Sequence, residues 1–253
     1  MQPLIEVRNL RYRYEDGTVA LKGVDFRLDP GESVALLGAN GSGKTTFVMH
    51  LNGLLGAEGG DDGASVSVCG MPVVKRNLAA IRRKIGMVFQ DSESQLFMPT
   101  VLEDVSFGPL NLGLDPAAAA ERAATALDRV GMSGAAARAP YHLSAGEKRR
   151  VAIAGILAMD PEILVLDEPT TFLDPPARRS LAELLQNLPQ AKILVTHDIS
   201  FARSICTRAV FFLNGAVAAT GSIGDVVERF GWGFAPAKNA SGEIAPAAQT
   251  RGH

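Results

Sequence analysis

The chain has 253 residues, of which 47% are hydrophobic and 21% charged, with a formal net charge of -2. That length fits one large domain or two small ones with a substantial core, and the composition is that of a globular protein rather than a disordered or fibrous one. A nearly neutral balance gives no general reason to expect nucleic acid as a partner, and no run approaches the ~20 apolar residues that a membrane-spanning helix needs.

Met1 to Tyr14 is charged and lacks a continuous apolar core, so no secretory signal is expected. Leu4 to Val7 and Val24 to Leu28 read as alternating strands, joined through the polar turn Glu15-Asp16-Gly17. Pro30-Gly31-Glu32 is a second turn before Ser33-Val34-Ala35-Leu36-Leu37, a run typical of a strand buried on both faces. A glycine-rich loop follows, then a helix from about Thr45 to Leu55, a loop over Gly56 to Gly63, and short strands at Ser65 to Cys69 and Ile85 to Phe89. From about Gln95 to Arg150 the pattern turns helical, with Asp115-Pro116 as a capped helix start. After Asp160-Pro161 the alternation resumes, with strands at Ile163 to Leu166 and Ile193 to Val195 around a helix from Pro175 to Leu188. Ala209 to Leu213 and Ala216 to Thr220 form a hairpin closed by Asn214-Gly215. From Gly231 the chain is rich in Gly, Ala and Pro, which predicts a mostly disordered tail on which Trp232 and Phe234 could dock. Cys69 and Cys206 show no metal-ligand spacing; one disulfide is compatible with the sequence, but their apolar surroundings favour buried reduced thiols in a cytosolic protein.

Gly38-Ala39-Asn40-Gly41-Ser42-Gly43-Lys44-Thr45 matches the phosphate-loop pattern, between a buried strand and a helix. Glycines let backbone N–H groups converge on a phosphate chain, and the helix N-terminus adds unpaired donors and a favourable dipole. Lys44 supplies positive charge to the terminal phosphates, and the Thr45 hydroxyl can ligate Mg²⁺. A chance match arises in roughly one chain per hundred of this length, and the strand and helix context lowers that further.

Ile163 to Leu166 runs into Asp167-Glu168, two carboxylates at the C-terminal end of a buried strand, where ligands bind in doubly wound sheets. Asp167 can hold the Mg²⁺ shell and Glu168 can face the water attacking the γ-phosphate. An acidic pair after a strand also serves as a helix cap or solvated turn, so the assignment leans on the phosphate loop. Leu143-Ser144-Ala145-Gly146-Glu147 heads another helix, running to about Met159. Ser144 and Glu147 form a capping box, while Gly146 leaves the helix end open to a second phosphate.

Leu-Ser-Ala-Gly-Glu resembles the signature of ATP-binding-cassette (ABC) ATPases, usually Leu-Ser-Gly-Gly-Gln, and the resemblance covers roughly Leu4 to Glu228. It implies an α/β phosphate-loop NTPase of the ABC-ATPase fold: a RecA-like core, an N-terminal antiparallel β part and an all-helical subdomain inserted at about 95–160. The ATPase domain would then cover 1–230 and the tail 231–253. It further implies that two cassettes pair head-to-tail, with Ser144, Ala145, Gly146 and Glu147 of one closing on nucleotide held by the other. Tyr14 looks like the aromatic that stacks on adenine, with Tyr12 as the alternative and a plain strand-surface tyrosine as the structural reading. Thr46 belongs with the ATP-binding loop. Gln90 looks like the glutamine that touches Mg²⁺ and the attacking water, and Asp174 like the loop residue that crosses the dimer interface. His197 looks like the switch histidine at the γ-phosphate, although a lone histidine is more often structural. Three positions depart from the pattern: Ala145 replaces a glycine and would be strained at φ > 0, though its small methyl should be tolerated, Glu147 replaces glutamine, and Phe172 stands where many members carry glycine. Glu147 can still accept from a ribose hydroxyl and suits a helix N-terminus.

Gln90-Asp91-Ser92-Glu93-Ser94-Gln95-Leu96-Phe97 is similar to the segment of energy-coupling-factor (ECF) ATPases that shapes a groove for a coupling helix. Lys148 to Gly155 and Thr171 to Pro175 resemble the cobalt/nickel branch. The resemblance implies ATP hydrolysis with Mg²⁺ by Glu168, His197, Gln90 and Lys44. It also implies a transmembrane coupling subunit, a substrate-binding membrane subunit, a homodimer or heterodimer of cassettes, and a peripheral place on the cytoplasmic side of the cell membrane. A transported metal would not bind this chain, which has no His/Cys cluster. The competing expectations are another class of ABC importer, a soluble ABC ATPase acting on DNA or ribosomes, and a nucleotide-gated scaffold without turnover. The absence of inserted heptads or Cys pairs, the single cassette and the intact Glu168 and His197 weigh against the soluble ATPase and the scaffold.

Overall fold

The computed structural model describes residues 2–56, 65–91 and 93–232. The predicted loop over Gly56 to Gly63 therefore falls largely outside the described residues, as do Ser92 and the tail from residue 233 with Phe234.

Strands β1 (Ile5–Arg13) and β2 (Val19–Leu28) pair antiparallel, and both are longer than their apolar cores predict. Ile5 and Val7 face inward, but so do Leu10 and Tyr12, so the inward parity changes along β1. The change occurs at Asn9, a left-handed residue (φ 47) whose N–H donates to Asp25 Oδ1 at 2.8 Å. A bulge of this kind breaks the period-two pattern that sequence reading relies on. β3 (Ser33–Leu37) leads to α1 (Lys44–Leu51). This helix ends four residues earlier than predicted, because Asn52 caps it and Gly53 follows at φ +67.

Strands β4 (Val66–Val68) and β5 (Met71–Pro72) join β1 and β2 in a four-stranded sheet of order β2-β1-β4-β5. The next helix, α2 (Leu78–Lys84), had no clear sequence signal, and it precedes β6 (Ile85–Val88). The helical stretch resolves into α3 (Val101–Asn111), α4 (Pro116–Arg129) and α5 (Ala145–Leu157). α3 starts at a Thr100/Glu103 capping box, and α4 at Asp115, whose carboxylate accepts from the N–H groups of Ala117 and Ala118 as its Asp-Pro start predicts. Beyond them come β7 (Ile163–Asp167), α6 (Pro175–Asn187), β8 (Ala191–Val195), α7 (Ile199–Ile205), β9 (Arg208–Leu213), β10 (Ala216–Ser222) and α8 (Ile223–Phe230). The β9–β10 turn uses Asn214 at φ 50 and Gly215 at φ 83, the two positive angles that its Asn-Gly sequence predicts.

The central sheet has the order β10-β9-β3-β8-β7-β6, parallel except for the edge strand β10. Side chains alternate between two cores. Ala35, Leu37, Leu164 and Leu166 face the core shared with the helices, while Val34, Leu36, Ile163 and Val165 face one shared with α1 and the antiparallel sheet. Burial on both faces explains why these strands read as continuous apolar runs. At the far end, Phe230 stacks on Phe211 at 4.0 Å and Trp232 meets the same ring edge-on at 5.3 Å. Both cysteines are free thiols; Cys206 is buried as expected, but Cys69 is only half-buried, with its sulfur 3.6 Å from Glu162 Oε2.

His50, in the last turn of α1, is enclosed by the second core. Its Nδ1 lies 2.8 Å from Thr46 O, Tyr12 packs edge-on at 4.7 Å, and Nε2 has no partner among the described residues. Burial pushes its pKa below the ordinary 6.5, outweighing the bond to Thr46 that favours the charged form. A depressed histidine pKa means the unfolded chain binds the proton more readily, so this contribution is complete above about pH 6.5 and is lost as pH falls through the folded-state value. Urea midpoints of wild type and His50→Asn between about pH 7.5 and 5 should show the steeper acid loss in wild type. Parallel pH profiles would dismiss the assignment.

Candidate functional site

The loop between β3 and α1 is shaped by what no side chain could occupy. Gly38 has φ +136, and a Cβ there would lie 2.3 Å from Phe212 O. Gly43 has φ +105, and its Cβ would lie 2.8 Å from Ala20 O. The loop therefore wraps tightly against β9 and β2, and Gly43, at the N-cap of α1, offers no capping side chain to the helix donors. Lys44 is buried, with Nζ donating to Gly38 O at 2.7 Å and Ala39 O at 2.9 Å and lying 3.5 Å from Ser42 Oγ. Burial pushes the Lys44 pKa down, partly opposed by Glu168 and Asp167.

Two chain segments separated by more than a hundred residues meet where the Thr45 hydroxyl donates to Asp167 Oδ2 at 3.1 Å. Asp167 is buried at the end of β7, and burial raises its carboxyl pKa against the lowering effect of Thr45. A hydroxyl and a carboxylate side by side are hard oxygen donors of the type Mg²⁺ prefers, so the pair fits that ion. Glu168 sits next to it in a left-handed conformation, φ 46. Its Oε2 lies 2.9 Å from His197 Nδ1 without hydrogen-bond geometry, so a buried carboxylate oxygen has no hydrogen-bond partner among the described residues. The His197 side chain is 70% exposed and Glu168 only 12%, which places the histidine at the mouth and the carboxylate inside.

A cleft of about 500 Å³ gathers Tyr14, Asn40, Gly41, Gly43, Lys44, Thr45, Thr46, Gln90, Asp167, Glu168 and His197. Gly38, Ala39 and Ser42 stand behind it, around the Lys44 ammonium. Of the two tyrosines, Tyr14 lines the cleft and bonds Thr46 Oγ1 at 2.8 Å, whereas Tyr12 turns inward onto His50. Thr18, Val19 and Ala20 also line the cleft. They were missed, because three small residues at the start of a strand carry no distinguishing signal.

Ser144, Ala145, Gly146 and Glu147 do not line this cleft. The capping box is present: Ser144 Oγ accepts from Glu147 N at 3.3 Å, and Glu147 Oε2 accepts from Ser144 N at 2.8 Å. Glu147 Oε1 accepts from Arg138 Nη1 at 2.9 Å, so each oxygen has one partner and keeps acceptor capacity for a further donor. Ser144 N–H and Arg138 hold this carboxyl below its usual pKa. Ala145 carries no left-handed strain, in keeping with the tolerance expected of it, since it is the first residue of α5 and is not among the left-handed positions. Phe172 carries it instead, at φ 64 and 87% exposed. Asp174 caps α6, accepting from Ala177 N at 2.8 Å, and also lies outside the cleft.

Gln90 enters the cleft from the loop after β6, and the residue that holds this loop was missed. Arg149, 3% exposed in α5, donates from Nη1 to Phe89 O at 2.7 Å and from Nη2 to Gln90 O at 2.8 Å. Its spacing from Ile153 and Ile156 put it on the buried face of α5, and that was the available signal.

Comparison with known proteins agrees with this geometry. Residues 21–171 match the family described as ABC transporter. The chain is 48% identical over 225 residues to the energy-coupling factor transporter ATP-binding protein EcfA of Methanothermobacter thermautotrophicus, covering 87% of this chain and 71% of that one. Among solved structures it resembles cbiO1 from Clostridium perfringens, described as part of the ABC transporter complex cbiONQ. The TM-score is 0.80 at 36% identity, covering 90% of this chain and 92% of that one. It also resembles the ATP-binding cassette MJ0796 in a dimeric post-hydrolysis state bound to ADP and Pi. There the TM-score is 0.75 at 30% identity, covering 87% of this chain and 98% of that one.

Proposed function

Because this chain belongs to the ABC transporter ATPases, we propose that it drives an ECF-type importer of cobalt, nickel or a vitamin from the cytoplasmic face of the membrane. It is an ABC ATPase of a transporter that binds ATP with Mg²⁺ and works with transmembrane subunits. Among the described residues no helix is long and apolar enough to cross a membrane. The importer reading is supported by the likeness to EcfA and cbiO1 and by the Gln90 to Phe97 segment.

The observation that carries the catalytic reading is the buried, unpartnered Glu168 oxygen beside the Thr45–Asp167 pair at the mouth of the phosphate loop. Lys44, Thr46 and the amides from Gly38 to Thr45 hold the β- and γ-phosphates, and Tyr14 faces the base. Thr45, Asp167 and Gln90 would hold Mg²⁺, which when bound neutralises charge on the phosphates. Glu168 takes the proton of the attacking water, and His197 donates toward the γ-phosphoryl oxygens as their charge develops. The 95–160 helical subdomain of a second cassette, identical or closely related, brings its Ser144 to Glu147 tip over that phosphate and Asp174 crosses between the two. This role is supported by the start of α5, whose first two residues, Ala145 and Gly146, carry no long side chain.

A second groove, of about 350 Å³, is lined by Leu96, Phe97, Phe107 and Met159, with Arg82, Arg83, Gln95 and Asp104 among its polar residues. Phe97 is 62% exposed and meets Phe107 edge-on at 5.1 Å. This groove takes the coupling helix of the transmembrane subunit, so motion at Gln90 reaches the membrane. Capturing the tagged chain from detergent-solubilised membranes should recover integral membrane companions, and Phe97→Glu should reduce that recovery at least tenfold while leaving ATP affinity unchanged. Recovery of ribosomes or DNA in place of membrane proteins would replace this reading with a soluble ATPase.

A further inference from the structure

We propose that Arg149 is a positioning residue that fixes Gln90 to the helix starting at Ser144, so that the water-side loop and the signature tip move as one body. The inference rests on the catalytic reading of Gln90 above and adds a residue which that reading does not contain.

β6 is the edge strand of the central sheet and pairs with β7 only as far as Val88 and Leu166. Beyond that point the carbonyls of Phe89 and Gln90 accept from the Arg149 fork at 2.7 and 2.8 Å. The Phe89 N–H donates to Gln95 Oε1 at 3.1 Å, and Gln95 Nε2 returns to Met87 O at 3.2 Å. Side chains thus replace the neighbouring strand that this edge lacks. The planar guanidinium suits the task, because two parallel donors hold two successive carbonyls in one orientation.

A second contact, two helical turns further along α5, fixes the same pair of elements. A Cβ on Gly86 would lie 1.8 Å from Ile156 Cγ2, so the helix rests directly on the backbone of β6. Ile156 and Arg149 share one face of α5. With Gly86–Ile156 at one end and the Arg149 fork at the other, α5 cannot shift along β6 without moving the Gln90 backbone.

Full burial of a guanidinium with an unpartnered Nε is costly where an apolar side chain of similar volume would pack without that cost. Burial pushes its pKa down, opposed by the charges of Asp91 and Asp167. What the apolar alternative cannot do is hold the two carbonyls.

The test uses the assembled transporter with Arg149→Met, Arg149→Lys and Gln90→Ala, singly and combined. ATP affinity of Arg149→Met and Arg149→Lys should stay within about twofold of wild type, because Arg149 does not line the nucleotide cleft. Arg149→Met should lower kcat at least tenfold and raise the Mg²⁺ concentration for half-maximal rate, with Arg149→Lys intermediate, since an ammonium reproduces the charge but not the fork. Combined with Gln90→Ala, either Arg149 change should add less than twofold, as expected of residues acting through one group. A purely structural role would lower the melting temperature and leave kcat per folded molecule and the Mg²⁺ dependence unchanged. That result, or full multiplicativity with Gln90→Ala, overturns the inference. Should Arg149→Met fail to fold, Arg149→Lys carries the same cycle. If wild type itself does not hydrolyse ATP, the catalytic reading fails before Arg149 is tested.

Discussion

Glu168→Gln is expected to reduce ATP turnover by roughly a hundredfold or more while leaving nucleotide affinity unchanged or slightly tighter. Glutamine keeps the size and hydrogen-bonding shape of the side chain, so the left-handed turn at Glu168 and its place behind His197 should persist. What disappears is the ability to accept a proton from water, a contribution of about 10²–10⁴ in rate for a well-placed general base. Affinity should not suffer, because the change removes a negative charge beside Asp167 and the incoming triphosphate. Single-turnover hydrolysis in the assembled transporter, together with a fluorescent-nucleotide titration, separates the two quantities. A mutant that turns over within threefold of wild type would falsify the base assignment and leave Glu168 as a structural turn residue.

The second large effect is expected from the smallest change, Gly38→Ala. The added methyl would meet Phe212 O at 2.3 Å and Ser42 Oγ at 3.0 Å, on a backbone at φ +136 that L-residues rarely adopt. Phe212 cannot yield easily, because β9 is held by β3 through the Leu37–Phe211 register and by β10 through Val217–Phe212. The loop must move instead, taking with it the Gly38 carbonyl that accepts from Lys44. We expect a loss of about 2–4 kcal/mol of stability, seen as a fall in melting temperature of roughly 5–15 °C, and at least a tenfold loss of ATP affinity. Wild-type values for both would mean that the loop has more room than its packing indicates.

These two sites differ in how far they could be read beforehand. The phosphate loop, the Asp115 and Ser144 caps and the Asn214-Gly215 turn each depend on groups within a few residues of one another, and each formed as its residues predict. Errors gathered where a distant group intervenes. β1 was cut short because the bulge at Asn9, bonded to Asp25 on the next strand, shifts the alternation by one residue. Nothing adjacent in the chain marked Arg138 as the partner of Glu147. The left-handed angle falls at Phe172, not at Ala145 where the glycine of the signature is replaced. Arg149 figured only in the Lys148 to Gly155 segment, and nothing adjacent in the chain indicates that its partners are Phe89 and Gln90.

The sequence by itself determined the chemistry on offer: a glycine turn able to wrap phosphate, a carboxylate pair ending a buried strand, and a capped helix tip. Such features are encoded by backbone freedom and by hydrogen bonds that close over three or four residues, so neighbours in the chain suffice to specify them. Tertiary structure alone decided which groups meet. Thr45 reaches Asp167, Glu168 faces His197, Tyr14 rather than Tyr12 enters the cleft, and Arg149 holds the Gln90 loop. The first two of these contacts are set by the order β3-β8-β7, which brings together strands far apart in the chain. Parallel neighbours bind through burial on both faces, and an apolar run carries no mark of which other run will lie beside it.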